Sequence, residues 1–186
     1  MKKLTAGLFV SLDGVVESPE RWHFPYLNDE LGRALGAQIC AADTMLLGRS
    51  TYEEFAAHWA HQGSEVPFAD RINGTPKYVV SNTLPAADWQ NSTLLGGEGL
   101  AGRIAELKGQ PGGDISVTGS VTLVRWLLAQ GLLDELSLMV HPVVVGKGRR
   151  LFDEADASRY ELDLVDFTTF RTGVVHLTYR TTACLQ

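Results

Sequence analysis

The segment Met45-Leu46-Leu47-Gly48-Arg49-Ser50-Thr51-Tyr52-Glu53-Glu54-Phe55 carries the densest chemical signal in the chain. An apolar run turns on Gly48 into residues that suit a helix start, with Ser50 and Glu53 at the spacing of a capping box. A helix beginning there presents backbone N–H groups at the positive end of its dipole, and Arg49 adds a planar fork of donors at the same corner. That combination fits a phosphate group. An ordinary strand-to-helix connection with a solvated arginine explains the same residues, so the segment alone leaves both readings open.

Other residues of similar chemistry recur at turns. Asp13 closes Val10-Ser11-Leu12-Asp13-Gly14, where a carboxylate can hold an N–H-rich heterocycle, help deliver a proton, or simply build a turn with Gly14. Ser81-Asn82 ends another apolar run, and Thr118-Gly119-Ser120-Val121 repeats the turn-and-cap pattern. The run Val140-His141-Pro142-Val143-Val144-Val145 leads into Gly146-Lys147-Gly148-Arg149-Arg150, a basic loop suited to a phosphorylated ligand and equally readable as a solvated turn. No GxxxxGK[ST] or GxSxG occurs, which disfavours P-loop and hydrolase readings. Gly96-Gly97-Glu98-Gly99 reads as a loop, His58 and His61 as solvated surface without further metal ligands, and His141 and His176 as packed strand residues.

These residues need a scaffold that gathers turns at one end. Strands are expected at Leu4–Leu12, Thr44–Leu47, Lys77–Ser81, Thr93–Leu95 and Ile115–Thr118, and again at Leu136–Val145, Leu162–Phe170 and Val174–Arg180. Helices are expected from Asn28 or Asp29 to about Ala41, Ser50 to about His61, Gly99 to Leu107, and Val121 to Ala129 with Gly131 beyond it. Strand and helix alternate until about residue 130 and strands follow, which predicts a three-layer α/β/α sandwich on a mainly parallel sheet with a C-terminal antiparallel hairpin. In such sheets ligands bind beyond the carboxyl ends of the strands. Asp13, Gly48-Arg49, Ser81-Asn82 and Gly119-Ser120 all fall there.

With 186 residues, the chain is expected to form a single domain over 1–182 with a short tail at 183–186. Its 45% hydrophobic content is that of a globular protein, and a net charge of −6 argues against a nucleic-acid binder. Cys40 and Cys184 form no disulfide framework, and no apolar run approaches membrane-spanning length, so a cytoplasmic location without membrane insertion is expected. The apolar C-terminal strands suggest a homodimer.

Taken in order, Val10-Ser11-Leu12-Asp13-Gly14, Gly48-Arg49-Ser50-Thr51-Tyr52-Glu53, Tyr78-Val79-Val80-Ser81, Val117-Thr118-Gly119-Ser120, Leu132-Leu133-Asp134-Glu135-Leu136, His141-Pro142 and Gly146-Lys147-Gly148 resemble the dihydrofolate-reductase-like superfamily. Within it they are most similar to the C-terminal reductase domain of the bifunctional riboflavin-biosynthesis deaminase-reductase. The resemblance implies NADPH as hydride donor, held by Gly48, Arg49, Ser50 and Thr51, by Ser81 and Asn82, and by Gly119, Ser120 and Val121. It also implies a small-molecule heterocyclic substrate, pyrimidine- or pterin-like, met by Asp13, with Trp22 as a wall and Lys147 near its phosphate. Asp13 is the candidate catalytic residue. Trp22-His23-Phe24-Pro25-Tyr26-Leu27 resembles the folate enzymes' segment before their substrate-binding acid, but Leu27 stands at the acid's position and Asp29 and Glu30 come too late. Dihydrofolate reduction and a non-catalytic NADPH-binding dimeric module remain the alternatives.

Overall fold

Burial alternates along the first strand because successive side chains point to opposite faces of the sheet, one of which is covered more completely than the other. In β1 (Leu4–Ser11), Leu4, Ala6, Leu8 and Val10 are buried in one apolar cluster while Phe9 packs on the opposite side with Leu31 and Met139. The computed structural model describes residues 1–152 and 159–182, so the expected tail at 183–186 lies outside the described residues.

The chain continues through α1 (Asp29–Ala41), β2 (Ala42–Gly48), α2 (Arg49–Trp59), α3 (Ala69–Gly74), β3 (Lys77–Val80) and β4 (Ser92–Leu95). It then forms α4 (Leu100–Gly109), β5 (Asp114–Val117), α5 (Val121–Ala129), β6 (Glu135–His141), β7 (Leu162–Thr169) and β8 (Val175–Thr181). The strands make one eight-stranded sheet in the order β4-β3-β2-β5-β1-β6-β8-β7. From β4 to β6 neighbouring strands are parallel, and β8 and β7 complete the sheet antiparallel to their neighbours. Leu46 and Leu47 show the two-sided burial directly: Leu46 joins the cluster of α4 and α5, and Leu47 joins Tyr52 of α2 and Ile72 of α3.

The expected strands and long helices are present, with informative departures. The capping box at Ser50 and Glu53 does not form: Gly48 occupies the N-cap, no side chain caps α2, and Ser50 already lies inside the helix. Helix α3 is not among the expected elements, because six residues around Asn73 and Gly74 carry too short a pattern to register. The sixth strand stops at His141 rather than Val145, since Pro142 has no N–H to donate and the amides of Val145 and Gly146 turn to the Asp13 carboxylate instead of a neighbouring strand. Among the described residues, no helix is long and apolar enough to cross a membrane.

Candidate functional site

The carboxyl ends of the parallel strands gather the expected corners into two neighbouring groups. The first is built by β2, β3 and β5. Gly48 N–H donates to the Gly119 carbonyl at 3.1 Å, joining the ends of β2 and β5 directly. The Gly119-Ser120 peptide is cis, and Gly119 has φ +146°, a conformation that L side chains rarely adopt. A Cβ on Gly119 would fall under 3.0 Å from Thr51 Oγ1, and one on Gly48 would do the same to the Ser120 side chain. Both positions therefore require glycine if the two helix starts are to approach each other this closely.

Those helix starts differ in what they leave open. At α5 the Ser120 hydroxyl accepts from Leu123 N–H at 3.4 Å, so it caps its own helix. Helix α2 has no such cap, and its first-turn amides, including those of Ser50 and Thr51, have the polarity to bind an anion. Arg49 is exposed beside them, its Nη1 donating to Thr83 Oγ1 at 3.1 Å. Ser81 Oγ accepts from the amides of Thr83 and Leu84, and Asn82 Oδ1 accepts from Gly97 N–H at 2.6 Å. Ser81 and Asn82 thus shape the turn that carries Thr83. The Gly96–Gly99 loop, read from sequence as a bystander, packs on this same turn, and Arg103 Nη2 fastens it by donating to the Gly96 and Glu98 carbonyls. Thr83 was missed because a lone threonine after a serine-asparagine turn carries no motif of its own.

The second group lies at the ends of β1 and β6, about 10 Å from β2 at two strand spacings. Asp13 is at the expected position, but its carboxylate is fully engaged. Oδ1 accepts from Ser11 Oγ at 2.7 Å and Val145 N–H at 3.0 Å, and Oδ2 accepts from Gly146 N–H at 2.8 Å. Arg150 Nε donates to the Asp13 carbonyl at 2.9 Å, with Nη2 3.6 Å from Oδ2. The Ser11 hydroxyl, then the Val145 amide, hold Asp13 down to about 2, so it is ionised at neutral pH and carries no proton to give. Its visible work is to set the path of Gly146, and hence of exposed Lys147 next to it. Glu30 is similarly occupied: it accepts from Arg171 N–H and Nε, which lower its pKa.

Trp22 is buried, donates Nε1–H to the Glu17 carbonyl at 3.2 Å, and stands edge-on to His141 at 5.2 Å. His141 is fully buried at the end of β6, ringed also by Phe9, His23 and Tyr26. His176 matches the packed role expected of it, bonded to Ser137 Oγ at 2.7 Å and Gln38 Nε2 at 3.1 Å. His141 matches it only in part, because just one of its ring nitrogens has a partner. His23 was not singled out from sequence; the aromatic residues on either side of it were the available signal.

The sequence profile of the RibD C-terminal domain matches residues 2–176. The Bacillus subtilis (strain 168) protein YyaP is 28% identical over 182 residues, covering 96% of this chain and 94% of its own. Among solved structures, a Shewanella sp. PV-4 protein provisionally assigned to riboflavin biosynthesis superposes with a TM-score of 0.77 at 21% identity, over 98% of this chain and 99% of that one. Dihydrofolate reductase from Enterococcus faecalis, complexed with NADP(H), superposes with a TM-score of 0.63 at 17% identity, over 97% and 96%. At these identities the structural matches establish the fold.

Proposed function

The chain belongs to the RibD C-terminal domain family, and on that premise we propose that it is an NADPH-dependent reductase of a pyrimidine- or pterin-like heterocycle, similar to 5-amino-6-(5-phosphoribosylamino)uracil reductase. One observation carries the reading: an uncapped helix start at Gly48, with Arg49 beside it and Gly119 pressed against Thr51, makes an anion cradle at the carboxyl ends of parallel strands. The adenosine phosphate belongs with Arg49 and the Ser81-Asn82 turn, and the pyrophosphate with Ser50, Thr51, Gly119, Ser120 and Val121. NADPH supplies the hydride when bound; the protein aligns the acceptor and excludes water. The heterocycle belongs at the β1 and β6 ends, against Trp22, with Lys147 toward its phosphate. Leu27, exposed where folate enzymes carry an acid, favours a pyrimidine over dihydrofolate.

The test is to follow nicotinamide absorbance with NADPH and 5-amino-6-(5-phosphoribosylamino)uracil, with dihydrofolate in a parallel assay. Turnover of the first supports the reading; NADPH binding without turnover of any pyrimidine or pterin supports the non-catalytic alternative. NADPH should bind more tightly than NADH. Replacing Arg49 by alanine removes a charge-assisted donor worth about 1.5–3 kcal/mol, so that preference should shrink by about tenfold or more. Equal affinity of the unmodified protein for both cofactors would refute the Arg49 assignment.

The same reading includes a homodimer through the C-terminal edge. Strand β7 pairs only with β8 among the described strands and exposes Leu164 (52%), Val165 (41%) and Phe167 (64%). An apolar edge of this kind invites a second copy. Phe167→Glu is therefore expected to shift a dimeric mass toward a monomeric one in light scattering at micromolar concentration. A monomeric wild type would reject the dimer.

A further inference from the structure

Two imidazole nitrogens stand unpaired inside the aromatic cluster at the ends of β1 and β6. The Nδ1 atom of His141 lies 2.8 Å from the Met139 carbonyl. A carbonyl only accepts, so Nδ1 carries the proton and Nε2 presents a lone pair. That Nε2 is buried without a hydrogen-bond partner, and so is His23 Nδ1. His141 is 0% exposed and His23 8%. The two rings stand at right angles with centroids 6.1 Å apart. His23 stacks on Phe9 at 4.6 Å, and Tyr26 closes the cluster edge-on to His141 at 5.6 Å. Burial lowers the pKa of both histidines, so the rings are neutral hydrogen-bonding groups rather than cations. Leaving such groups unpaired costs free energy.

We propose that His141 and His23 form a recognition pair for the amide edge of a planar heterocycle, the ring N–H donating to His141 Nε2 and the adjacent carbonyl accepting from His23 Nδ1–H. The inference rests on the reductase reading above and assigns the residues that read the ring. Two features support it beyond the unpaired atoms. The pair lies where ligands of parallel sheets bind. Four aromatic rings, those of Phe9, Trp22, Phe24 and Tyr26, surround it, as a planar ligand requires. Tyr26 is the side chain that must yield: its hydroxyl is held only by a 3.4 Å bond to the Pro142 carbonyl.

The probes are 1-methyluracil, which keeps the N3–H beside its carbonyls, and 1,3-dimethyluracil, which lacks it. Their binding to the full chain is read by tryptophan fluorescence and by the 15N shift of His141 Nε2. The expected result is that 1-methyluracil binds at least tenfold more tightly and moves the His141 Nε2 resonance. In a folded His141→Phe variant, which keeps an aromatic ring without the nitrogens, the two probes should bind alike. Equal binding of both probes to the wild type, no binding of either, or an unmoved Nε2 resonance would each overturn the pair. NADPH affinity, measured separately, distinguishes this failure from failure of the reductase reading: a chain that binds neither NADPH nor NADH loses the reading itself.

Discussion

Replacing Lys77 by alanine is expected to destabilise the fold by about 3–5 kcal/mol, read as a lower denaturation midpoint at unchanged slope. Lys77 opens β3 and is 1% exposed, an unusual place for an ammonium group. Its Nζ donates to the carbonyls of Thr75 at 2.8 Å, Asn73 at 3.0 Å and Gln90 at 3.2 Å, and sits 4.2 Å from the centre of the Trp89 ring. One side chain thereby ties the end of α3 to the approach to β4, with Trp89 fixed in turn by Asn73 Oδ1 and the Tyr52 hydroxyl. Alanine leaves three acceptors without a donor and a cavity beside them. Lys77→Met keeps the stem and should lose less, about 1–3 kcal/mol, which separates the hydrogen bonds from the packing.

The pH dependence has a definite sign. Burial pushes the Lys77 ammonium down from 10.5 to about 8, so the folded chain releases that proton before the unfolded chain does. Below about pH 8 the desolvation cost is carried in full, and between about 8 and 10.5 it is relieved. The stability of wild type relative to Lys77→Met should therefore grow as pH rises through that window. A difference that shrinks there would mean that the carbonyls and Trp89 outweigh burial.

Why the fold was legible and parts of the site were not follows from range. Gly48, Gly119 and Gly131 punctuate elements locally, and the apolar runs between them carry strand or helix period, so the parallel sheet and its hairpin follow from neighbours in sequence. Ser50 misled because the capping-box pattern describes one helix alone, whereas the N-cap here is set by Gly48, pressed against Ser120 from another turn. The unpaired nitrogens of His23 and His141 are 118 positions apart (141 − 23) and meet only because β1 and β6 pair in parallel. No local pattern distinguishes them from packed histidines. Lys77 was equally silent, since a lysine at a strand start reads as surface until α3 folds over it.

Asp13 shows the same limit most sharply, and its asparagine variant gives the strongest functional prediction. Turnover by Asp13→Asn is expected to fall by about a hundredfold while NADPH affinity stays unchanged. The carboxylate meets three donors, the Ser11 hydroxyl and the Val145 amide at Oδ1 and the Gly146 amide at Oδ2. An asparagine turned either way must aim its NH2 at a donor that the carboxylate accepts. Turned toward Gly146 it releases the residue before Lys147; turned the other way it meets Val145 N–H. The segment leaving His141 then loses its path, and Lys147 with it, while Gly48, Ser81 and Gly119 keep their own bonds. A simple turn residue would tolerate the change, because asparagine and aspartate serve such turns alike. Acid adds an independent reading. With Asp13 lowered from 3.8 to about 2, its contribution to stability is present above about pH 3.8 and is lost as pH falls toward 2, and the asparagine variant should lack that part of the acid transition. Unchanged turnover together with an unchanged acid transition would reduce Asp13 to a turn former, whereas weakened NADPH binding would mean that the two corners of the crevice are mechanically one.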